Sequence, residues 1–186
     1  MVRPHVPLVA PHASFSDYPP ADMQLADVPE HDLADVPQAA QTQTNAVKYG
    51  MNSEQQQKTL AAYYATVSFM DAQVGKILDE LERLNLDQNT VIVFTSDHGY
   101  NLGQHTSWQK LSLWEDSVRS PLIIAAPGLP ARRTDEIVEL IDLYPSLTDL
   151  CGFGVPAGLP GQSVQPLLHG RSWTSKPAYT ITRHNG

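Results

Sequence analysis

The chain has 186 residues, which is enough for one domain of ordinary size or for part of a larger one. Hydrophobic residues make up 41% and charged residues 17%, a composition that excludes a wholly disordered chain. Twelve Lys and Arg against twenty Asp and Glu give a net charge of −8, which excludes a generally basic nucleic-acid-binding surface. A single Cys excludes an internal disulfide framework. No apolar run approaches the roughly 20 residues of a membrane-spanning helix, and residues 1–12 lack the apolar stretch of a signal peptide.

The first 50 residues predict an extended, loop-rich segment. Seven of the fifteen prolines fall within the first 37 residues, and none lies between Gln38 and Ser120. Two interpretations remain open: a flexible tail or leader, and a segment that lies along a folded surface. The second is favoured by the apolar and aromatic residues inside the segment, namely Val6, Leu8, Phe15, Tyr18, Met23, Leu25 and Leu33.

Residues 53–86 predict one long amphipathic helix. Apolar residues recur there at three- and four-residue steps and form one face, which we expect to be core rather than a cofactor site. Ser53 with Gln56 fits a capping box at the start, and Asn85 with the polar run 87–89 ends the helix. At 1.5 Å per residue, this helix spans roughly 50 Å, a length that suits a larger sheet than a small domain needs.

Two short, β-branched runs, at residues 90–95 and 122–126, predict strands. Their nearly continuous apolar character is typical of central parallel strands that are covered on both faces. Residues 136–141 predict a third strand, and residues 143–150 predict a helix that Gly152 stops. Strands alternating with helices predict an α/β fold, with a mostly parallel sheet flanked by helices.

The first predicted strand runs directly into Asp97, His98 and Gly99. In open α/β sheets, ligands bind beyond the carboxyl ends of the strands, so a carboxylate and an imidazole there are well placed for a site. Neighbouring side chains of a regular strand point to opposite faces. Gly99 makes sterically easy the bend that brings both groups to one ion. The alternative is a strand-end turn with a solvated Asp and His.

Lys110 lies twelve residues after His98, and a loop of this length can fold it back over the strand end. A lysine beside a metal suits an anionic oxyester, because charge on sulfuryl or phosphoryl oxygens needs cations around it. The alternative for Lys110 is a solvated surface lysine. Tyr100 and Trp108 either line a pocket or pack, and His105 is expected to support the site or the fold rather than to bind metal.

Several blocks of the chain, in the same order, resemble the sulfatase family of the alkaline phosphatase superfamily. They read T-S-D-H-G-x-x-x-G-x-H-x-x-W-x-K, S-P-L-I-I-x-x-P-G, L-I-D-L-Y-P-S-L-T-D-L-C-G and L-P-G-Q-S-V-Q-P-L-L-H-G. The opening R-P-H-x-P and the Tyr-Tyr-Ala-Thr-Val-Ser stretch resemble iduronate-2-sulfatases and their bacterial relatives. The resemblance covers almost the whole chain. It implies part of an alkaline-phosphatase-like sulfatase fold, and cleavage of a sulfate ester, such as that of a sugar, by a metal-assisted formylglycine mechanism.

The resemblance also implies roles for four residues. Asp97 and His98 would complete a calcium site, Lys110 would contact the sulfate, and His5 of R-P-H-x-P would protonate or hydrogen-bond the leaving oxygen. Residue chemistry alone favours a rigid loop residue without a catalytic task for His5, which lies between prolines. Calcium takes about six to eight oxygen ligands, so an Asp and His pair by itself favours zinc or manganese. The resemblance favours calcium.

The resemblance further implies a sulfated sugar or another small sulfate ester as the partner, with no nucleic acid and no membrane. It suggests an exported, periplasmic or lysosomal location. Two family features are missing from this sequence: a C-x-P-x-R or C-x-A-x-R motif for formylglycine, and a pair of adjacent aspartates. Cys151, which Gly-Phe-Gly follows, is instead expected to be a small buried residue.

The chain is therefore expected to be the second half of a sulfatase catalytic domain over residues 1–172. Residues 173–186 would begin a C-terminal subdomain, with a strand over residues 178–183. Because half of the metal ligands are absent, we expect the chain alone to bind calcium poorly. Because the nucleophile is absent, we expect it not to turn over sulfate esters. Two alternatives stay open: a phosphodiesterase or phosphonate hydrolase of the same superfamily, and a non-catalytic or truncated module.

Overall fold

The computed structural model describes residues 3–41 and 44–181, which form two compact units. The first unit consists of the described residues up to 80 and of 98–119, and the second consists of 81–97 and 120–181. The helices and strands in chain order are α1 Ser53–Arg83, β1 Ile92–Thr95, β2 Asn101–Leu102, β3 Trp108–Gln109, α2 Glu115–Val118, β4 Leu122–Ala125, α3 Leu143–Leu150 and α4 Gln165–Leu168. Across 3–41 and 44–181, no helix combines the length and apolar character needed to cross a bilayer.

The long helix α1 confirms the helix predicted from residue 53 onward, but its N-terminal cap lies one residue earlier than predicted. Asn52 Oδ1 accepts a hydrogen bond from the Gln55 N–H, and Gln55 Oε1 accepts one from the Asn52 N–H, both at 2.9 Å. The predicted Ser53–Gln56 box is therefore wrong. Both pairs fit the pattern, and Asn caps a helix at least as well as Ser does.

Asn85 ends α1, as the sequence predicts. Its φ of 54° lies in the left-handed region, where Asn is tolerated better than most residues. The Leu86 N–H donates to the Leu81 carbonyl, and the Asn85 N–H donates to the Glu82 carbonyl, each at 2.9 Å. This pair of bonds is a Schellman closure, which satisfies the carbonyls that the last turn leaves unpaired.

The proline-rich segment 3–41 lies along α1, which confirms the second of the two interpretations. Tyr18 Oη and Ser68 Oγ share a hydrogen bond of 2.6 Å, and Gln57 Nε2 donates to the Met23 carbonyl at 3.1 Å. The segment itself forms only short 3-10 turns, at His12–Phe15, Pro20–Asp22 and Gln38–Ala40. In this unit the buried apolar residues come mainly from α1, with one from β3: Leu60, Ala61, Ala65 and Trp108.

Tyr63 of α1 is expected to make the stability of the fold depend on pH in alkaline solution. Burial of its ring, and then the neighbouring Tyr64, raise the pKa of Tyr63 above its ordinary value. Because the folded state favours the neutral phenol, stability is unaffected below about pH 10 and falls as pH rises through the raised pKa. We expect Tyr63→Phe to lessen this alkaline loss in urea unfolding at about pH 9 and about pH 11. Equal losses in both proteins would contradict this cause.

The strands β1 and β4 pair with each other in antiparallel register, with Val93 opposite Ile124. β2 and β3 are also antiparallel. The prediction of parallel pairing is therefore wrong for the described strands, because a β-branched apolar run favours a strand without fixing the direction of its neighbour. Coverage on both faces is also wrong here: Ile123 of β4 is 61% exposed.

The third predicted strand, over residues 136–141, does not form. The Glu139 N–H donates to Asp142 Oδ2 at 3.0 Å, and the Glu139 carboxylate accepts from the Asp142 backbone. This capping box starts the 3-10 turn Leu140–Asp142 that leads into α3, so its local hydrogen bonds replace a strand.

The strand predicted over residues 178–183 is wrong in its described part, since residues 178–181 form none. Tyr179 is 79% exposed and Ile181 is 95% exposed, and a strand without a partner strand has no ladder of hydrogen bonds to hold it. Residues 182 and 183 lie outside the described residues.

The helix α3 has the predicted bounds, and Gly152 stops it with a φ of 78°. The Phe153 N–H donates back to the Thr148 carbonyl at 2.9 Å, which closes the last turn. Cys151, predicted to be buried, is exposed. It lies just past the end of the helix, whereas the packed face of α3 buries Pro145 and Ser146 in the first two turns.

Candidate functional site

Lys110 and His98 meet in the first unit, as their spacing predicts. Lys110 Nζ lies 2.8 Å from His98 Nε2, and His98 Nδ1 lies 2.7 Å from the Gly99 carbonyl oxygen. When Nδ1 carries the proton and donates it to this carbonyl, the lone pair of Nε2 accepts a hydrogen bond from the lysine ammonium. Both side chains are half-buried. The pair thus presents a positive charge whose position the imidazole fixes.

Gly99 is explained by a close approach of two backbone segments rather than by an easy bend. It is not among the glycines with positive φ, and its N–H donates to the Ser117 carbonyl at 2.7 Å. A Cβ built at this position would overlap the Asp116 carbonyl oxygen and would come 3.1 Å from the Arg119 carbonyl oxygen. Only glycine lets the chain after His98 lie against α2.

Asn101 holds the loop that carries Lys110 through side-chain hydrogen bonds. Sequence reasoning did not identify Asn101. Its side chain is fully buried, and its Nδ2 donates to the Gln109 carbonyl and the Ser112 hydroxyl, each at 3.0 Å, and to the Ser117 hydroxyl. Ser112 Oγ also donates to Ser117 Oγ at 2.7 Å. In the sequence these are ordinary polar loop residues up to 16 positions apart, so no local signal marks the network.

We expect Asn101→Ala to lower the free energy of unfolding by about 1–3 kcal/mol, because the buried Ser112 hydroxyl and the Gln109 carbonyl lose the donor Nδ2. Urea unfolding at neutral pH measures the change. Asn89→Ala is the matched control: Asn89 is exposed, and its loss should cost less than about 0.5 kcal/mol. Equal effects of the two substitutions would show that the network does not hold the loop.

His105 makes contacts within the fold, and that it does not bind metal stays a prediction. Its Nδ1 lies 2.8 Å from Asp32 Oδ2, and its ring stacks on Trp114 with centroids 3.7 Å apart. The residue also holds a left-handed φ of 52°. Sequence reasoning did not find Asp32, because it lies 73 residues before its partner in the proline-rich segment.

Trp108 and Tyr100, for which pocket lining and packing were both open, pack. Trp108 is 2% exposed. The ring of Tyr100 stacks on Tyr63 with centroids 5.4 Å apart. Trp108 and Tyr100 therefore pack beneath the loop, and Lys110 and His98 are its candidate functional side chains.

Asp97 and His5 are the other two predicted site residues. Asp97 is exposed just after β1, in the second unit, and Ser96 Oγ donates to its Oδ1 at 3.4 Å. His5 is exposed in the first unit, and its Nδ1 lies 2.7 Å from the Val6 carbonyl oxygen. These contacts are with neighbouring residues in the chain only. The role of Asp97 in metal binding and the role of His5 in leaving-group protonation stay predictions.

The described residues do not by themselves fit a calcium ion. No group of three or more His, Cys, Asp or Glu side chains within 3–41 and 44–181 is arranged to hold a metal. Calcium takes about six to eight oxygen ligands, whereas His98 offers a nitrogen that already lies 2.8 Å from the Lys110 ammonium.

Comparison with known proteins places these residues in a family context. The sulfatase family model matches residues 5–153, which include His5, Asp97, His98 and Lys110. An iduronate 2-sulfatase of Mus musculus is 34% identical over 198 residues, which cover 85% of this chain and 36% of that protein. The chain spans 36–37% of the length of the curated relatives it matches first.

Solved structures confirm the fold class. A phosphonate monoester hydrolase from Silicibacter pomeroyi superposes with a TM-score of 0.79 and 30% identity, over 94% of this chain and 37% of that one. A protein solved in complex with its substrate D-glucosamine-2-N,6-O-disulfate superposes with a TM-score of 0.55 and 34% identity, over 64% of this chain and 24% of that one. The chain is thus a partial α/β fold of the kind found in alkaline-phosphatase-like sulfatases and phosphonate hydrolases.

Proposed function

Because this chain belongs to the sulfatase family, we propose that it forms part of a hydrolase that cleaves the sulfate ester of a sugar. The contact between Lys110 and His98, inside the matched region, is the observation that carries the proposal. The iduronate 2-sulfatase and the protein bound to a glucosamine disulfate support a sulfated sugar as the substrate class.

Lys110 is the group that grips the sulfate in this proposal. An ammonium supplies hydrogen bonds and positive charge to sulfuryl oxygens, on which negative charge collects as the ester bond breaks. His98 orients Lys110 through the 2.8 Å contact, and the Asn101 network holds the backbone on which Lys110 stands. The imidazole therefore limits the freedom that a lysine side chain normally keeps, which lowers the entropic cost of binding.

His5 would protonate or hydrogen-bond the leaving sugar oxygen. Its Nδ1 faces the Val6 carbonyl oxygen, so in the neutral ring Nε2 is the nitrogen left to exchange a proton with an alcohol. Asp97 would supply one oxygen ligand to the calcium ion that the resemblance implies, and such an ion would neutralise sulfate charge. The formylglycine nucleophile would come from the part of the relatives that this sequence does not span.

The phosphonate monoester hydrolase gives the alternative its support, with a TM-score of 0.79 over 94% of the chain. Lys110 suits a phosphonate as well as a sulfate, because both present anionic oxygens around a tetrahedral centre. The residues of this chain therefore favour an anionic tetrahedral ester, and the family match favours sulfate.

The test compares an aryl sulfate with an aryl phosphonate monoester as substrates. We expect the 186-residue chain alone to cleave neither, because it holds no nucleophile motif. A longer protein that contains this sequence should cleave the sulfate with the higher kcat/KM. A higher kcat/KM for the phosphonate would favour the alternative, and metal-dependent sulfate cleavage by the purified chain alone would overturn the assignment of the nucleophile to another segment.

A further inference from the structure

Three arginines and a tryptophan line an open cavity in the second unit, away in sequence from every residue assigned above. Arg132, Arg133, Arg171 and Trp173, here called the arginine pocket, surround a volume of about 450 Å³. Glu136 is the one acidic residue among those that line it. Three positive charges around one cavity stand out in a chain whose net charge is −8.

Arg132 makes a hydrogen bond to the backbone, and no carboxylate in the described residues forms an ion pair with it. Its Nη1 donates to the Leu167 carbonyl at 3.3 Å, and its guanidinium lies against Gly170, where an added Cβ would overlap it. Gly170 has a φ of 70°, a conformation that also favours glycine. Within 3–41 and 44–181, neither Arg132 nor Arg171 forms an ion pair, so most of their N–H donors stay available to a ligand.

The two remaining members of the pocket also suit a ligand with acceptor oxygens. Arg133 lies 3.9 Å from Asp135, with both side chains 90% exposed, so this pair competes weakly. Trp173 buries its Nε1 without a hydrogen-bond acceptor in the described part of the chain. The Trp173 side chain contributes an apolar wall to the pocket, against which the face of a sugar ring can pack.

We propose that the arginine pocket binds a sulfate group of a sulfated saccharide, separately from the ester that is cleaved. Planar guanidinium groups pair with tetrahedral anions through two parallel hydrogen bonds. A volume of about 450 Å³ accommodates one or two sugar rings. The negative net charge disfavours a long polyanion such as nucleic acid, and a compact anion avoids most of that repulsion. The choice of a saccharide rests on the proposed function.

The experiment measures binding, so it does not depend on hydrolysis. The 186-residue chain is titrated by calorimetry with a multiply sulfated disaccharide, with the same disaccharide without sulfate, and with the corresponding sugar phosphate. We expect Arg132→Gln and Arg171→Gln each to raise the Kd for the sulfated disaccharide about tenfold or more. The unsulfated sugar should not bind, and the sugar phosphate distinguishes sulfate from any tetrahedral anion.

Two controls separate this proposal from general charge effects and from the proposed function. Arg119→Gln removes the same charge at a position 72% exposed in the first unit and should leave the Kd unchanged. Lys110→Ala should also leave binding at the arginine pocket in place. If both pocket variants bind as the wild type does, or if Arg119→Gln weakens binding equally, the proposal is overturned. Loss of binding in Lys110→Ala alone would overturn it as well and leave the proposed function standing.

Discussion

Replacing Lys110 with alanine should lower turnover of a sulfate ester about 10²–10³-fold in a longer protein that contains this sequence. The ammonium lies 2.8 Å from His98 and is placed to meet charge that develops on the sulfuryl oxygens in the transition state. Its removal therefore costs transition-state stabilisation rather than ground-state binding alone. Steady-state kinetics with an aryl sulfate measure the effect, and kcat should fall more than KM rises.

His105→Ala is the matched comparison within the same loop. His105 contacts Asp32 and Trp114, so its replacement should lower the free energy of unfolding and leave kcat nearly unchanged. The Asp32 contact is partly exposed, and a pair of this kind contributes at most about 1 kcal/mol. Equal and small effects of Lys110→Ala and His105→Ala on kcat would contradict the role given to Lys110.

Gly99→Ala should lower the free energy of unfolding by about 1–3 kcal/mol, because the loop has no room for the added methyl group. The added Cβ would overlap the Asp116 carbonyl oxygen, a backbone atom that cannot rotate out of the way. The loop after His98 would have to move away from α2 and would take His98 with it. Urea unfolding gives the stability change, and the sulfate titration described below reports the displacement of His98.

Gly75→Ala is the control for the Gly99 substitution. Gly75 lies inside α1 with nothing within 4 Å of an added Cβ, so alanine should stabilise the helix by roughly 0.5–1 kcal/mol. The same chemical change is thus expected to act with opposite signs at the two positions. A loss of stability at Gly75 or no loss at Gly99 would contradict the packing described for that residue.

The parts of the fold that local sequence determines were predictable. The periodicity of α1 and the glycine stop of α3 depend on contacts within a few residues, and both helices form close to their predicted bounds. The apolar face of α1 is core only in part, since Leu60 is buried whereas Ile77 and Leu78 are exposed. Strand direction was not predictable, because β1 and β4 meet across 26 intervening residues and an apolar run is compatible with either pairing. The capping box of Glu139 and Asp142 likewise replaced the strand predicted over residues 136–141.

Some residues of the candidate site were found from the sequence, and others were missed. The twelve-residue spacing permits Lys110 to fold back over the strand end, and the structure brings its side chain into contact with His98. Asn101 and Asp32 were missed because their partners are set by the tertiary fold. The exposure of Ile123 in β4 was missed as well, because an apolar run in the sequence does not show which of its side chains are covered.

An NMR titration of the purified chain tests most directly whether Lys110, oriented by His98, binds an anionic sulfuryl group. Inorganic sulfate is added against chloride at equal ionic strength, while the side-chain resonances of both residues are followed. The account predicts saturable shifts at Lys110 and His98 that disappear in Lys110→Met. Shifts that persist at His98 in that variant, or no shifts at either residue in the wild type, would contradict it.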